Sequence, residues 1–293
     1  TFGLVAAFVA LLAGVWFAKE PMVRAIAARV PAEWEIALGD TAFKQVTVSH
    51  KLITDRAVQR QLDQLAQPLL AVVPQERYPF HLHIVENATL NAFALPGGHV
   101  AIHSGLLLTA ESPEEVLGVL GHELSHVTKQ HGTRALIQNV GLFAVVQAFL
   151  GDATGLLAVV ANNAPFLLTQ KFSRDHEREA DEQGLRYLAA AKLNPRGLIT
   201  FFEKMRREEE RMKEQLPGGD ALDSLSFLST HPPTPERVAR LEQLIAKSAG
   251  AGNYAKVNVD FKAFQQALRA QLSQPEKKPE PKKPKAPDAP KAN

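Results

Sequence analysis

The chain has 293 residues, 45% of them hydrophobic and 22% charged, a globular balance that excludes a wholly disordered or fibrous protein. Lys plus Arg number 33 against 31 Asp plus Glu, and six of those lysines fall in residues 275–293, so the body is near neutral and makes no electrostatic case for nucleic acid. The lack of cysteine excludes disulfides, thiolate metal sites, iron–sulfur clusters and a cysteine nucleophile.

Residues 1–18 (TFGLVAAFVALLAGVWFA) carry no charge. As a helix they would span about 27 Å, close to a bilayer core of about 30 Å. Trp16 and Phe17 beside Lys19 and Glu20 suit a membrane interface. The expectation is a single-pass anchor contacting the lipid bilayer, set against a buried core helix as the alternative. After a linker at 19–30, the soluble part opens with VPAEWEIALG at 30–39. Val58, Leu62, Leu65, Leu69 and Leu70 fall at helical spacing, and FHLHIV at 80–85 alternates as a strand. Residues 91–95, Pro96-Gly97-Gly98 and residues 99–104 read as strand, tight turn, strand. Ser112-Pro113-Glu114-Glu115 is a helix start: a Ser cap, Pro at the first helical position and Glu in the first turn. The helix it opens is expected to run to about Gln130.

That helix contains GHELSH at 121–126. Four residues advance a helix by about 400°, so His122 and His126 share one face a turn apart and both imidazoles reach one tetrahedral ion. Glu123 is placed to take a proton from an attacking water. His131 lies about 140° off the ligand face of a continued helix, and the spacing assigns it a structural role. A third donor is sought in SRDHEREAD at 173–181. There Glu177 and Asp181 are four apart on one face, the first placed to bind metal and the second to hydrogen-bond a ligand histidine. His231 and Arg237 in STHPPTPER, one before two prolines and one at a helix start, are placed to stabilise an oxyanion.

The remaining segments are plainer. Residues 201–216 form a charged helix with Phe201, Phe202, Met205 and Met212 for packing, and residues 217–220 (PGGD) a flexible loop. Residues 140–168 are apolar but interrupted by Gln147, Asp152, Asn162, Asn163 and Pro165, and read as two helices over the site. His50, His81, His83, His99 and His103 have no ligand spacing on a predicted helix and read as structural. Residues 274–293 form an extended Pro/Lys-rich tail, inert or touching an anionic surface.

Four segments in order, NAFALPGGHVAIHSGLL, EEVLGVLGHELSHVTKQHG, FSRDHEREAD and THPPTPERV, together resemble the M48 family of zinc metallopeptidases, the group of CAAX prenyl endopeptidases, HtpX heat-shock proteases and BepA-like periplasmic proteases. The resemblance implies an α+β, mostly helical, zincin-like domain over residues 31–247, with a small edge-exposed β-sheet. It implies one zinc per chain on His122, His126 and Glu177, with Glu123 as base, Asp181 behind a ligand, and His231 and Arg237 at the transition state. Asn91, Ala92, Phe93 and Ala94 would then be an edge strand that pairs with an extended substrate. The likeness is to single-anchor and BepA-like bacterial members, since the several membrane spans of the other branches are missing. Such a protein would cleave misfolded or membrane and envelope proteins, held by one span in a bacterial inner membrane with the peptidase domain extracytoplasmic. The competing expectation is a holdase on the same scaffold with latent activity. Residues 248–273 are left as a C-terminal extension.

Overall fold

The computed structural model describes residues 18–140, 166–168, 170–215, 230–232, 234–247 and 253–273. The expected anchor up to residue 17, most of the helix pair expected over the site, the loop at 217–220 and the tail lie outside these residues. Among the described residues no helix is long and apolar enough to cross a membrane.

A helical segment at residues 18–27 (α1) precedes α2 (Ala32–Ser49), β1 (Leu52–Ile53), α3 (Arg56–Leu70), β2 (His81–Val85), β3 (Ala92–Ala94), β4 (His99–His103) and α4 (Ser104–Thr109). Then come α5 (Pro113–Thr128), α6 (His131–Val140), α7 (Arg174–Ala190), α8 (Arg196–Gln215), α9 (Pro235–Lys247) and α10 (Phe261–Leu272). The fold is mostly helical with one small mixed sheet in the order β1-β2-β4-β3. β2 and β4 run parallel, while β1 and β3 pair antiparallel at the two edges.

Strand alternation gives the sheet two unlike faces. Leu82, Ile84, Val100 and Ile102 point into the main core with α3 and α5, whereas Val85 and Ala101 pack with Val46 of α2 on the other side. The histidines of β2 and β4 share that second face. α3 starts from a true cap, Asp55, its carboxylate accepting from the backbone of Ala57 and Val58. Ser112 does the same for Glu115 at the start of α5. α5 is buried on every side from Glu115 to Val127, as its nearly continuous apolar sequence requires, and runs between α7 and α8.

Among the helices not foreseen are α1, which takes up most of the expected linker at 19–30, α2 and α10. The buried stripe of α2 is Glu35, Leu38, Gly39, Ala42 and Val46, correctly spaced but broken as an apolar pattern by an acid and a glycine. Glu35 is buried because Arg77, Thr133 and Gln130 bond its carboxylate. Gly39 is required by close approach, since a Cβ there would lie 1.8 Å from the Pro96 carbonyl oxygen of the turn between β3 and β4. In the segment expected as an extension, α10 packs into the main core through Phe261, Phe264 and Leu268, each fully buried side chain contributing about 1.5–3 kcal/mol. The charged helix expected from Phe201 begins earlier, at Arg196, and buries Phe201, Phe202 and Met205 as expected.

His103 gives the fold a pH dependence. It is buried beside Thr89 Oγ1 at 2.6 Å, and burial, helped by His50, pushes its pKa down to about 4. The unfolded chain takes up this proton near pH 6.5 and the folded chain only near 4. Stability from a neutral His103 is therefore complete above pH 6.5 and lost as pH falls toward 4. Between pH 7 and pH 4.5, urea unfolding of the wild type should lose about 2 kcal/mol more stability than that of His103→Gln.

Candidate metal centre

α5 and α7 cross at two glycines. A Cβ built on Gly184 would come within 3.0 Å of the Gly121 carbonyl, tight enough to force the helices apart by a few tenths of an ångström. This backbone contact sets the ligand helix of His122 and His126 against the helix of Glu177 and Asp181. All four side chains are buried.

One ligand atom each from His122, His126, Glu177 and His231 lies within 4.8 Å of all the others. His122 Nε2 is 3.0 Å from His126 Nε2 and 3.3 Å from His231 Nδ1. Glu177 Oε1 is 2.8 Å from His231 Nδ1 and 3.5 Å from His126 Nε2. The i,i+4 spacing on α5 and the single donor on α7 are as expected. His231 joins the donors themselves, whereas the sequence reading set it beside them as an oxyanion group.

The nitrogens that do not face the centre are held from behind. His122 Nδ1 lies 2.9 Å from Asp181 Oδ1, as expected for that acid. His126 Nδ1 lies 2.9 Å from His131 Nδ1, and His131 Nε2 lies 3.2 Å from Glu179 Oε2, which accepts from Arg134 at 2.8 Å. Arg134 and His176 in turn bond Glu20 of α1. Sequence reasoning missed this chain of contacts. It placed His131 on a continued helix, but α5 ends at Thr128 and Gln130 turns the backbone with φ 55° before α6 begins. His131 returns on a new helix, where the 140° offset has no meaning.

Arg237 is committed more heavily than expected. It donates through Nε and Nη2 to both oxygens of Asp181 at 2.8 Å, through Nη1 to the Pro232 carbonyl at 3.0 Å, and its Nη1 also lies 2.8 Å from Glu177 Oε2. Its guanidinium lies over the Phe202 ring. A planar fork spent this way orients two carboxylates and has little left for a substrate.

Charge and burial show what the centre takes. Burial would raise Glu177, but His231 and His122 beside it hold its carboxyl well below the usual range. Burial would lower His122, but Asp181 and Glu177 outweigh it and push the imidazole up to about 9. Positive charge is thus favoured in the middle of the donors. Burial raises Glu123, and neither of its oxygens makes a hydrogen bond of normal geometry among the described residues. His231 Nε2 lies 3.7 Å from Glu123 Oε1, too far for a hydrogen bond, and a buried carboxylate with its bonding capacity left over suits a group that enters from outside. Two imidazoles on one helical turn, a third imidazole and a carboxylate are donors that zinc takes, so the residues fit that ion.

A sheet edge completes the surroundings. Ala92–Ala94 is the last strand of the sheet, with one side paired to β4 and the other unpaired among the described residues. A cleft of about 300 Å³ runs past it, lined by Asn91, Phe93, Ala94, Phe172 and His231. A concavity of about 750 Å³ between α3 and β2 is lined by none of the metal-centre residues.

A buried H-E-x-x-H helix crossed by a second helix that carries a carboxylate donor defines a metal centre of the metallohydrolase type. The sequence profile of peptidase family M48 matches residues 53–245, and the chain belongs to that family, whose members are zinc-dependent. It is 29% identical over 217 residues to the beta-barrel assembly-enhancing protease of Yersinia pestis, covering 70% of this chain and 42% of that protein. It is 27% identical over 224 residues to the mitochondrial metalloendopeptidase OMA1 of Schizosaccharomyces pombe, covering 75% and 63%. With the OMA1 metalloendopeptidase of Arabidopsis thaliana, identity is 31% over 193 residues, covering 66% and 37%. The chain thus spans about half the length of the curated relatives it matches.

Proposed function

We propose that the chain is a zinc-dependent endopeptidase that hydrolyses peptide bonds in misfolded or membrane and envelope proteins. The observation that carries the reading is Glu123, fully buried beside the four converged donors, with His231 Nε2 3.7 Å from its Oε1 and neither oxygen in a hydrogen bond of normal geometry. His122, His126 and Glu177 would hold the ion. When bound, zinc supplies Lewis acidity toward a carbonyl and lowers the pKa of a water.

The chain's own residues do the rest. The backbone of Ala94 faces the Glu123 carboxylate, so a substrate paired along the free edge of Asn91, Ala92, Phe93 and Ala94 arrives beside the base. Glu123 accepts a proton from the attacking water and returns it to the leaving amine, a task for which a raised pKa suits it. Four protein donors would close a tetrahedral site, whereas hydrolysis needs one position open. His231 lies outside the helices and is the donor able to yield, which leaves it next to the developing oxyanion. Asp181 and Arg237 keep His122 and Glu177 in place. The names of the relatives, a protease that enhances β-barrel assembly and a mitochondrial metalloendopeptidase, support substrates at membranes. Residues 1–18 would then contact the bilayer, with the domain on the outer side of a bacterial inner membrane.

The test is cleavage of an unfolded protein by the full chain before chelation, after it, and after zinc is returned. Loss and recovery of cleavage are expected. Cleavage that survives complete chelation would sink the reading.

A further inference from the structure

Three histidines outside that centre meet on the α2 face of the sheet. His81 and His83 are two apart on β2 and therefore point to the same side, and His99 of β4 is the Cα partner of His81 in the parallel register. His83 Nε2 lies 3.0 Å from His99 Nδ1. That is the same separation as between His122 Nε2 and His126 Nε2 in the metal centre, and close to the ~3.3 Å edge of a tetrahedron of nitrogens about 2.0–2.1 Å from zinc. The His81 ring centroid is 5.5 Å from that of His99. The far nitrogen of His99, Nε2, is 2.8 Å from Asp40 Oδ1 of α2, the contact that orients a ligand histidine from behind. Phe43 stacks on both the His83 and His99 rings and holds their planes.

We propose that His81, His83 and His99 form a second site for a divalent transition-metal ion such as zinc, with Asp40 as the positioning residue of His99. Two residues on alternate positions of one strand plus one on the neighbouring strand put three imidazoles at the corners of a triangle on one sheet face. His83 and His99 already hold two ring nitrogens 3.0 Å apart, a hydrogen bond that an ion entering between them would replace. His81 is exposed and joins them by turning about its side-chain bonds, and water fills the remaining position. His81 is exposed, so an ion can reach the cluster from solvent at that corner. Burial and the neighbouring histidines push the His83 pKa down to about 4, so it meets a cation as the neutral ligand. The ion would tie β2, the start of β4 and α2 together, just beyond the turn that leads from the substrate edge. All-imidazole donors suit zinc, copper and nickel, and disfavour calcium and magnesium.

The experiment is calorimetric titration of zinc into the chelator-stripped full chain, with elemental analysis after gel filtration. Wild type should take two equivalents. His83→Gln should take one and keep the zinc of the first centre, which also reports that the variant is folded. His81→Gln alters only an exposed side chain and should weaken the second equivalent about ten-fold or more. Asp40→Ala, which removes no ligand, should weaken it by about 10–100-fold. With zinc already in the first centre, added Cu²⁺ should show a paramagnetic resonance spectrum split by imidazole nitrogens, lost in the His81→Gln/His83→Gln chain. A wild type that takes a single equivalent which His83→Gln still holds would overturn the proposal. So would a second equivalent that binds the double variant with wild-type affinity.

Discussion

Replacing Glu123 by glutamine is expected to leave zinc binding unchanged and to lower kcat for peptide hydrolysis by about 10²–10⁴-fold, the usual contribution of a positioned general base. Glutamine keeps the volume of the side chain, and Glu123 is not among the converged donors, so the ion should remain. The substitution removes a fully buried carboxylate whose pKa burial has already raised, so the melting temperature should hold or rise. Zinc content, melting and kcat measured on one preparation separate these effects. A variant that keeps zinc and more than about a tenth of wild-type kcat would remove Glu123 from the role of base.

Arg237→Ala acts on stability first. The guanidinium faces Asp181 and Glu177 inside the protein, and its loss leaves two buried carboxylates with far less compensating charge. Breaking a buried ion pair by removing one partner costs about 3–5 kcal/mol, a large share of the roughly 5–15 kcal/mol that holds a domain folded. Both carboxyl pKa values should rise, and zinc affinity should fall because Glu177 loses its orientation. Lysine should restore little, since a single ammonium cannot reproduce the paired bonds to Asp181. The outcome distinguishes two roles. A variant with unchanged melting and zinc affinity but reduced kcat would return Arg237 to the transition-state task that the sequence suggests.

The parts of the site that could be read in the sequence are those written at helical spacing within one element. His122, Glu123 and His126 on α5, Glu177 and Asp181 on α7, and the cap at Ser112 depend on neighbours within a few residues, and the structure has them on those helices. The rest depends on how elements meet. His131 was read as structural and is not among the donors, but its place behind His126 escaped because its angle was reckoned along a helix that stops before it. Arg237 was read as an oxyanion group because nothing in its own segment shows Asp181 and Glu177 waiting on α7. α2 escaped because one position of its buried stripe is a glutamate, neutralised by Arg77 from far along the chain. The contact of His83 with His99 could not be read either, since it depends on β2 and β4 lying side by side in the sheet.

The glycine crossing of α5 and α7 has a bearing on which ion the protein can hold. Two histidines ride on one rod and a carboxylate on the other, and the rods touch backbone to backbone at Gly121 and Gly184. The gap between their axes therefore sets the size of the coordination sphere. Metal–ligand distances tolerate only about ±0.2 Å. A single methyl at Gly184 would spread the rods by a few tenths of an ångström, more than that tolerance. The missing side chains act as a gauge of ionic radius: the closest approach that two helices can make is the setting for an ion as small as zinc.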